Sequence, residues 1–159
     1  MVVTTQALTV CDVGIDAVQL CRGVTAMFAD LGFAAVGELP LPNGRRADLA
    51  AIDDQGQIII VEIKSCRADF QTDRKWRDYL EFCDRFFFAV APDFPRDILP
   101  GESGLILADR HGAAIIRPAP ATPLHSARRR AQILRIAQTA CRRLMRVDLA
   151  DPAHQTIAI

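Results

Sequence analysis

The chain has 159 residues, half of them hydrophobic and 24% charged, with a formal net charge of zero. That is the composition of one ordinary globular domain with a real core, and it excludes the low-complexity and strongly charged classes. No apolar run approaches the roughly 20 residues of a membrane span, and Met1 to Leu20 has no basic residue ahead of its apolar positions. A cytoplasmic protein is therefore expected.

The five cysteines (Cys11, Cys21, Cys66, Cys83, Cys141) are odd in number and form no CxxC pair, which points to reduced thiols and away from a zinc site. His111, His125 and His154 are scattered along the sequence and carry no motif.

In chain order, Asp16 to Leu31 has Ala17, Leu20, Cys21, Val24, Phe28 and Leu31 at helical spacing, with Gly32 as the stop. "AAVGELPLP" follows as a short strand whose prolines confine it to an edge. "ADLAAID" and "QIIIVEIK" are two strands joined by Asp53-Asp54-Gln55-Gly56, a hairpin signal. Residues Ala68 to Asp84 read as a second helix with Phe70, Trp76, Tyr79, Leu80 and Cys83 on its apolar side. "RFFFAVAP" is a buried strand, and "GLILAD" and "AAIIRPA" form a further hairpin turning at Arg110-His111-Gly112. Pro118 to Pro123 is a linker, and Ser126 to Val147 is a long closing helix. No glycine-rich dinucleotide or P-loop fingerprint is present. The expected architecture is α/β, a mixed central sheet flanked by helices. One domain spans 1–159, with a core of about 12–120 and a basic helix of about 126–148.

The strand Ile58–Lys64 carries an unusual end. Alternation puts Ile58, Ile60, Glu62 and Lys64 on one face and Ile59, Val61 and Ile63 on the other. A three-residue Asp54-Gln55-Gly56 turn makes Asp53 oppose Gln57, and hence Asp48 oppose Glu62 on the same face. A one-residue slip would take Asp48 off that face. Two carboxylates so placed would repel in a low-dielectric setting, and a hard divalent cation removes the repulsion. Lys64 then stands where it can orient water or stabilise developing charge. Only Lys64 and Lys75 among the 19 basic residues are lysines, which singles out Lys64 as a chosen compact cation. The plainer alternative is a strand end emerging into solvent, with Asp48 paired to Arg45 or Arg46.

Asp48, thirteen intervening residues, then Glu62-Ile63-Lys64 resembles the PD-(D/E)xK motif of the restriction-endonuclease-like nuclease superfamily. "ELPLPNGRRADLAAID", "IIIVEIKS", "ADFQTDRKWRDYLEFCDRFFFAVAPDFP" and "GLILADRHGAAIIRPAP" resemble the bacterial MmcB-like DNA repair family over roughly Gln19 to Pro120. The resemblance implies a restriction-endonuclease-like core ordered α-β-β-β-α-β, and a Mg²⁺-dependent (or Mn²⁺-dependent) nuclease acting in DNA repair. It would make Asp48, Glu62 and Lys64 catalytic, with Asp48, Glu62 and the backbone carbonyl of Ile63 as metal ligands. Ala47 stands where the motif has Pro. The first helix offers Gln19 and Arg22 where many members carry an acid, so Glu38 is the candidate for an additional ligand. A Lys75-Trp76-Arg77-Asp78-Tyr79 stretch stands where some relatives have Gln-x-x-x-Tyr, and only the Tyr corresponds.

Further nucleic-acid contacts are sought at two places. Lys75, Trp76 and Tyr79 follow the motif strand and could take phosphate or stack on a base, or the two rings could pack the helix on the sheet. From Ser126 to Val147 there are seven arginines and no acid. Arg128, Arg135, Arg142 and Arg146 share a side, away from an apolar stripe of Ala127, Ala131, Leu134, Ala137, Cys141, Leu144 and Met145. That row is either a phosphate-tracking surface or a solvated face paired with the acidic body. DNA is the expected partner, with other DNA repair proteins and a second copy of the chain as further candidates. The competing functional classes are a non-catalytic nucleic-acid-binding or adaptor module and a protein–protein interaction domain with a vestigial charged strand.

Overall fold

The computed structural model describes residues 16–65 and 75–150. Its centre is one six-stranded sheet in the order β1-β2-β3-β4-β5-β6. The strands are β1 (Ala34–Pro40), β2 (Arg46–Ile52), β3 (Ile58–Lys64), β4 (Arg85–Val90), β5 (Gly104–Ala108) and β6 (Ala113–Arg117). The first three pair antiparallel, β3–β4 and β4–β5 pair parallel, and β5–β6 closes as an antiparallel hairpin. The mixed α/β architecture expected from the sequence is the one observed.

Helix α1 (Ala17–Asp30) starts at Asp16, whose carboxylate accepts the Gln19 amide at 2.7 Å, an N-cap. It buries Leu20, Gly23, Val24 and Phe28. A Cβ on Gly23 would lie 2.1 Å from the Asp109 carbonyl oxygen, so glycine is what lets α1 seat on the β5–β6 turn. α1 covers one face of the sheet, against Leu49, Val61, Phe87 and Ile106. On the other face Ile58, Ile60, Phe86 and Phe88 meet Trp76, Tyr79, Phe94 and Ile136. Strand β3, third of six, is buried along all seven residues.

The β2–β3 hairpin has the expected register. Asp53 donates its amide to Gln57, Gly56 takes the left-handed conformation (φ +78°), and Ile52 faces Ile58.

Two elements differ from the sequence reading. The expected helix from Ala68 is, over its described part, a 3₁₀ helix at Trp76–Phe82; residues 68–74, including Phe70, lie outside the described residues. In a 3₁₀ turn side chains three apart eclipse, so Trp76, Tyr79 and Phe82 line up towards Phe86 and Phe88, leaving Leu80 exposed.

The closing helix α2 (Ser126–Ala150) is present but rotated from the expected face. Its stripe of Ala127, Ala131, Leu134, Ala137, Cys141, Leu144 and Met145 is exposed, and Gln132 and Ile136 are buried. The cause is polar. Arg129 docks on Asp84 at 2.6 Å, Gln132 donates to the Phe82 carbonyl, and Arg143 donates to the Glu38 carbonyl. These anchors, at positions 129, 132 and 143, outweigh a mostly alanine stripe in setting the helix rotation.

Candidate functional site

The C-terminal end of β3 brings charge into the interior. Glu62 and Lys64 are 4% and 7% exposed, with Lys64 Nζ 3.5 Å from Glu62 Oε2. They share a strand face because they are two residues apart, and the neighbouring strand presents Phe88 and Val90 beside them. Burying both charges in this way is costly unless they are paired or used.

Asp48 arrives from β2. The register Leu49–Val61 places it across from Glu62, as expected from the turn. Its carboxylate, however, does not lie flat beside Glu62: Oδ2 accepts the Ile63 amide at 2.8 Å. Alternation explains the turn of the side chain. Val36 and Leu39 on β1, and Ala50 and Ala47 on β2, belong to the same core layer although they are three residues apart. The strand pair therefore switches faces across Glu38 and Asp48, which stand opposite one another. Glu38 has φ +49°, the one positive value at a non-glycine among the described residues. A non-glycine left-handed residue is locally strained, and such strain gathers at functional sites.

As a result Asp48 opens into a cleft of about 530 Å³ on the α1 side. Glu38, Ile63 and Ser65 line it from the sheet, and Cys21, Arg22 and Thr25 from α1. Glu62 and Lys64 belong by alternation to the layer of Ile58 and Ile60, on the other side of β3. The three motif residues thus surround the β3 terminus from two sides. Among the described residues no group of three or more His, Cys, Asp or Glu is close enough together to hold a metal ion.

Burial pushes the Asp48 carboxyl above its ordinary range and Glu38 adds to the rise; the Ile63 amide, Lys64 and Arg46 pull the other way without cancelling it. The same burial raises the Cys21 thiol, and Cys83 is pushed up to about 12. Both shifts disfavour the thiolate at these two positions. Arg45 and Arg46, the alternative partners for Asp48, bind Asp78 and Glu38 instead.

The carboxylates of Asp48 and Glu38 line the cleft beside Ile63, while Glu62 lies on the other side of β3, so the three acids do not converge on one point as they stand. Carboxylate and carbonyl oxygens are the ligand type of hard cations such as Mg²⁺ or Mn²⁺ rather than of zinc.

The secondary candidates divide. Trp76 and Tyr79 are buried, with Trp76 packed on Phe86 and Phe88 at 5.4 and 6.1 Å and Tyr79 stacked on Phe86. The Arg77 guanidinium also lies 5.2 Å from the Trp76 ring centroid. Rings engaged in this way are not platforms for a base, which corrects the stacking role expected for them. Lys75 is exposed at the start of the 3₁₀ helix. Arg128 and Arg142 are exposed on α2, with Arg128 ion-paired to Glu81 at 3.4 Å, while Arg135 is half-buried and donates to Gln132.

Two features escaped the sequence reading. One is the Asp84–Arg129 pair at the opposite end of β3. The other is the α1 wall of the Asp48 cleft, whose only signal was polar Arg22 and Thr25 beside an apolar stripe.

Residues 4–151 match the family described as DNA repair protein MmcB-like. A solved structure of a protein of unknown function from Silicibacter pomeroyi is similar at 44% identity, with a TM-score of 0.80 over 90% of this chain and 97% of that one. No curated protein matches. Among the described residues no helix is long and apolar enough to cross a membrane.

Proposed function

This chain belongs to the MmcB-like DNA repair family, and from that footing we propose that it is a divalent-metal-dependent DNA phosphodiesterase centred on the C-terminal end of β3. The observation that carries the reading is the buried Glu62–Lys64 pair on the central strand, abutted by Asp48 through the Ile63 amide. Ionisable side chains brought side by side into a packed sheet are the kind of environment that tunes the groups of a reaction centre. The D…ExK spacing and its resemblance to the PD-(D/E)xK pattern support the same reading.

Asp48 would hold Mg²⁺ or Mn²⁺ with the Ile63 carbonyl and with Glu38 at the margin, and Glu62 would join them only by turning its side chain round the strand end from the other side of β3. The ion would supply positive charge at a phosphoryl oxygen. Lys64, held 3.5 Å from Glu62, positions the attacking water or meets charge developing on phosphorus. Because the Asp48 carboxyl is raised, cation binding is linked to proton loss and strengthens as pH rises through that raised value.

The test is cleavage of single-stranded, branched and duplex DNA with Mg²⁺ or Mn²⁺. Asp48→Asn, Glu62→Gln and Lys64→Ala should each lower the rate by at least about 100-fold. Undiminished cleavage by the Asp48→Asn/Glu62→Gln double variant removes the assignment.

A second reading, a non-catalytic DNA-binding or adaptor module, is favoured by the exposed Arg128 and Arg142 on α2. It predicts salt-sensitive DNA binding with no cleavage under any metal.

A further inference from the structure

We infer that Arg22 of α1 is the residue that seats a DNA phosphate in the Asp48 cleft, an assignment that rests on reading this end of β3 as the DNA-processing centre. The cleft has the volume of a small-ligand site, about 530 Å³, with Asp48 and Glu38 on one wall and Arg22 on the other. Asp16 caps α1 from its first turn, and the packing of Leu20, Gly23 and Val24 fixes the helix rotation. Arg22 is consequently presented at the rim of the cleft and is exposed there.

Its surroundings give it no structural task. Among the described residues Arg22 makes no ion pair or hydrogen bond, although two carboxylates line the same cleft. Those carboxylates are engaged elsewhere: Asp48 accepts the Ile63 amide and Glu38 pairs with Arg46. Asp48 draws its stabilising charge from Lys64 and Arg46. A guanidinium left over beside an acidic floor is arranged for an anion brought in from outside, and its planar fork matches two phosphate oxygens. Thr25, one turn on, keeps its hydroxyl on the Cys21 carbonyl, so the guanidinium is the donor available to a ligand on that wall.

The chemistry recognised is a phosphodiester rather than a base, so the contact should be independent of sequence. In the Asp48 cleft it would set the position of the strand relative to the β3 end. Arg22 is a positioning residue in this account.

The test uses the full chain and short fluorescein-labelled single-stranded and duplex oligonucleotides, with Ca²⁺ in place of Mg²⁺, read by anisotropy across a salt series. Arg22→Ala should weaken binding about tenfold and flatten the salt slope by nearly one unit, to a similar extent for different sequences. Arg22→Lys should keep most of the slope while losing part of the affinity. The melting temperature of both variants should stay at the wild-type value, which separates loss of contact from loss of fold. The same differences should persist in a Glu62→Gln background. Unchanged affinity and slope in Arg22→Ala overturns the assignment, as does a wild type that binds neither oligonucleotide. Arg22-dependent binding by a protein that cleaves nothing with Mg²⁺ or Mn²⁺ would uphold Arg22 and overturn the phosphodiesterase reading.

Discussion

The two ends of β3 both bury acids, and they treat them in opposite ways. At the start of the strand Asp84 is 5% exposed and fully enclosed by donors. Its Oδ1 takes the Leu124 amide and Arg129 Nη2, and its Oδ2 takes the Ile58 amide and Arg129 Nη1, at 2.6–2.8 Å. Its own amide donates to the Ile58 carbonyl, and its carbonyl accepts from Thr122. Burial works to raise its pKa, but Arg129 and the two amides outweigh it and hold it below the ordinary carboxylate value. At the far end Asp48 has one amide, a raised pKa, a strained neighbour and an open cleft. The first arrangement holds the molecule together, tying β3, β4, the 118–125 connection and α2 at one point. The second leaves the carboxylate open to the cleft. A buried charge signals function only when its partners are too few to account for it.

Substitution should separate the two ends most sharply at Asp84. Asp84→Ala leaves Arg129 and two amides without their acceptor, and should destabilise the fold by about 3–5 kcal/mol in chemical denaturation. Metal-dependent cleavage, where the protein remains folded, should survive. A loss under about 1 kcal/mol would mean that the enclosed pair is not the structural anchor described here.

The next contrast is in pH. Asp48 is easier to protonate folded than unfolded, so its favourable contribution is complete below the ordinary carboxylate value of about 3.9 and is lost as pH rises through the raised folded value. Asp48→Asn should therefore match wild type in acid and become the more stable protein at neutral pH, while losing cleavage. Asp84 has the reverse sign: its contribution is complete above about 3.9 and is lost as pH falls through the lowered folded value. The deficit of Asp84→Asn should accordingly shrink in acid. Parallel pH profiles for the two variants would erase the distinction between the ends.

The smallest effects belong to α2. Arg128→Gln and Arg142→Gln remove exposed charges, one of them paired with Glu81, and should change stability by less than about 0.5 kcal/mol. If α2 tracks phosphate, each should still reduce the salt slope of DNA binding. An unchanged slope in the double variant would leave α2 as a brace, joining the Asp84 end through Arg129 to Glu38 through Arg143.

Much of this was legible in the sequence. The Gly56 turn and the β3 alternation are local rules, and they placed Asp48 across from Glu62. Periodicity likewise gave α1, and Gly32 gave its stop. The direction of the Asp48 carboxylate was not legible, because the face switch depends on a left-handed backbone at Glu38, a residue type that does not announce one. The rotation of α2 was missed for a related reason. A stripe count weighs apolar residues, whereas one arginine on a buried carboxylate sets this helix. Trp76 and Tyr79 admitted both stacking and packing as readings, and the tertiary position of Phe86 and Phe88 decides for packing.

The central claim is that the Asp48–Glu62–Lys64 end is a working divalent-metal centre rather than a decorated strand terminus. Calorimetric titration of Mn²⁺ and Mg²⁺ into wild type, Asp48→Asn and Glu62→Gln tests it most directly. The account predicts saturable binding in wild type that tightens with rising pH and is lost in both variants, whose folds remain intact. Equal metal binding in all three proteins, or none in wild type, would contradict it.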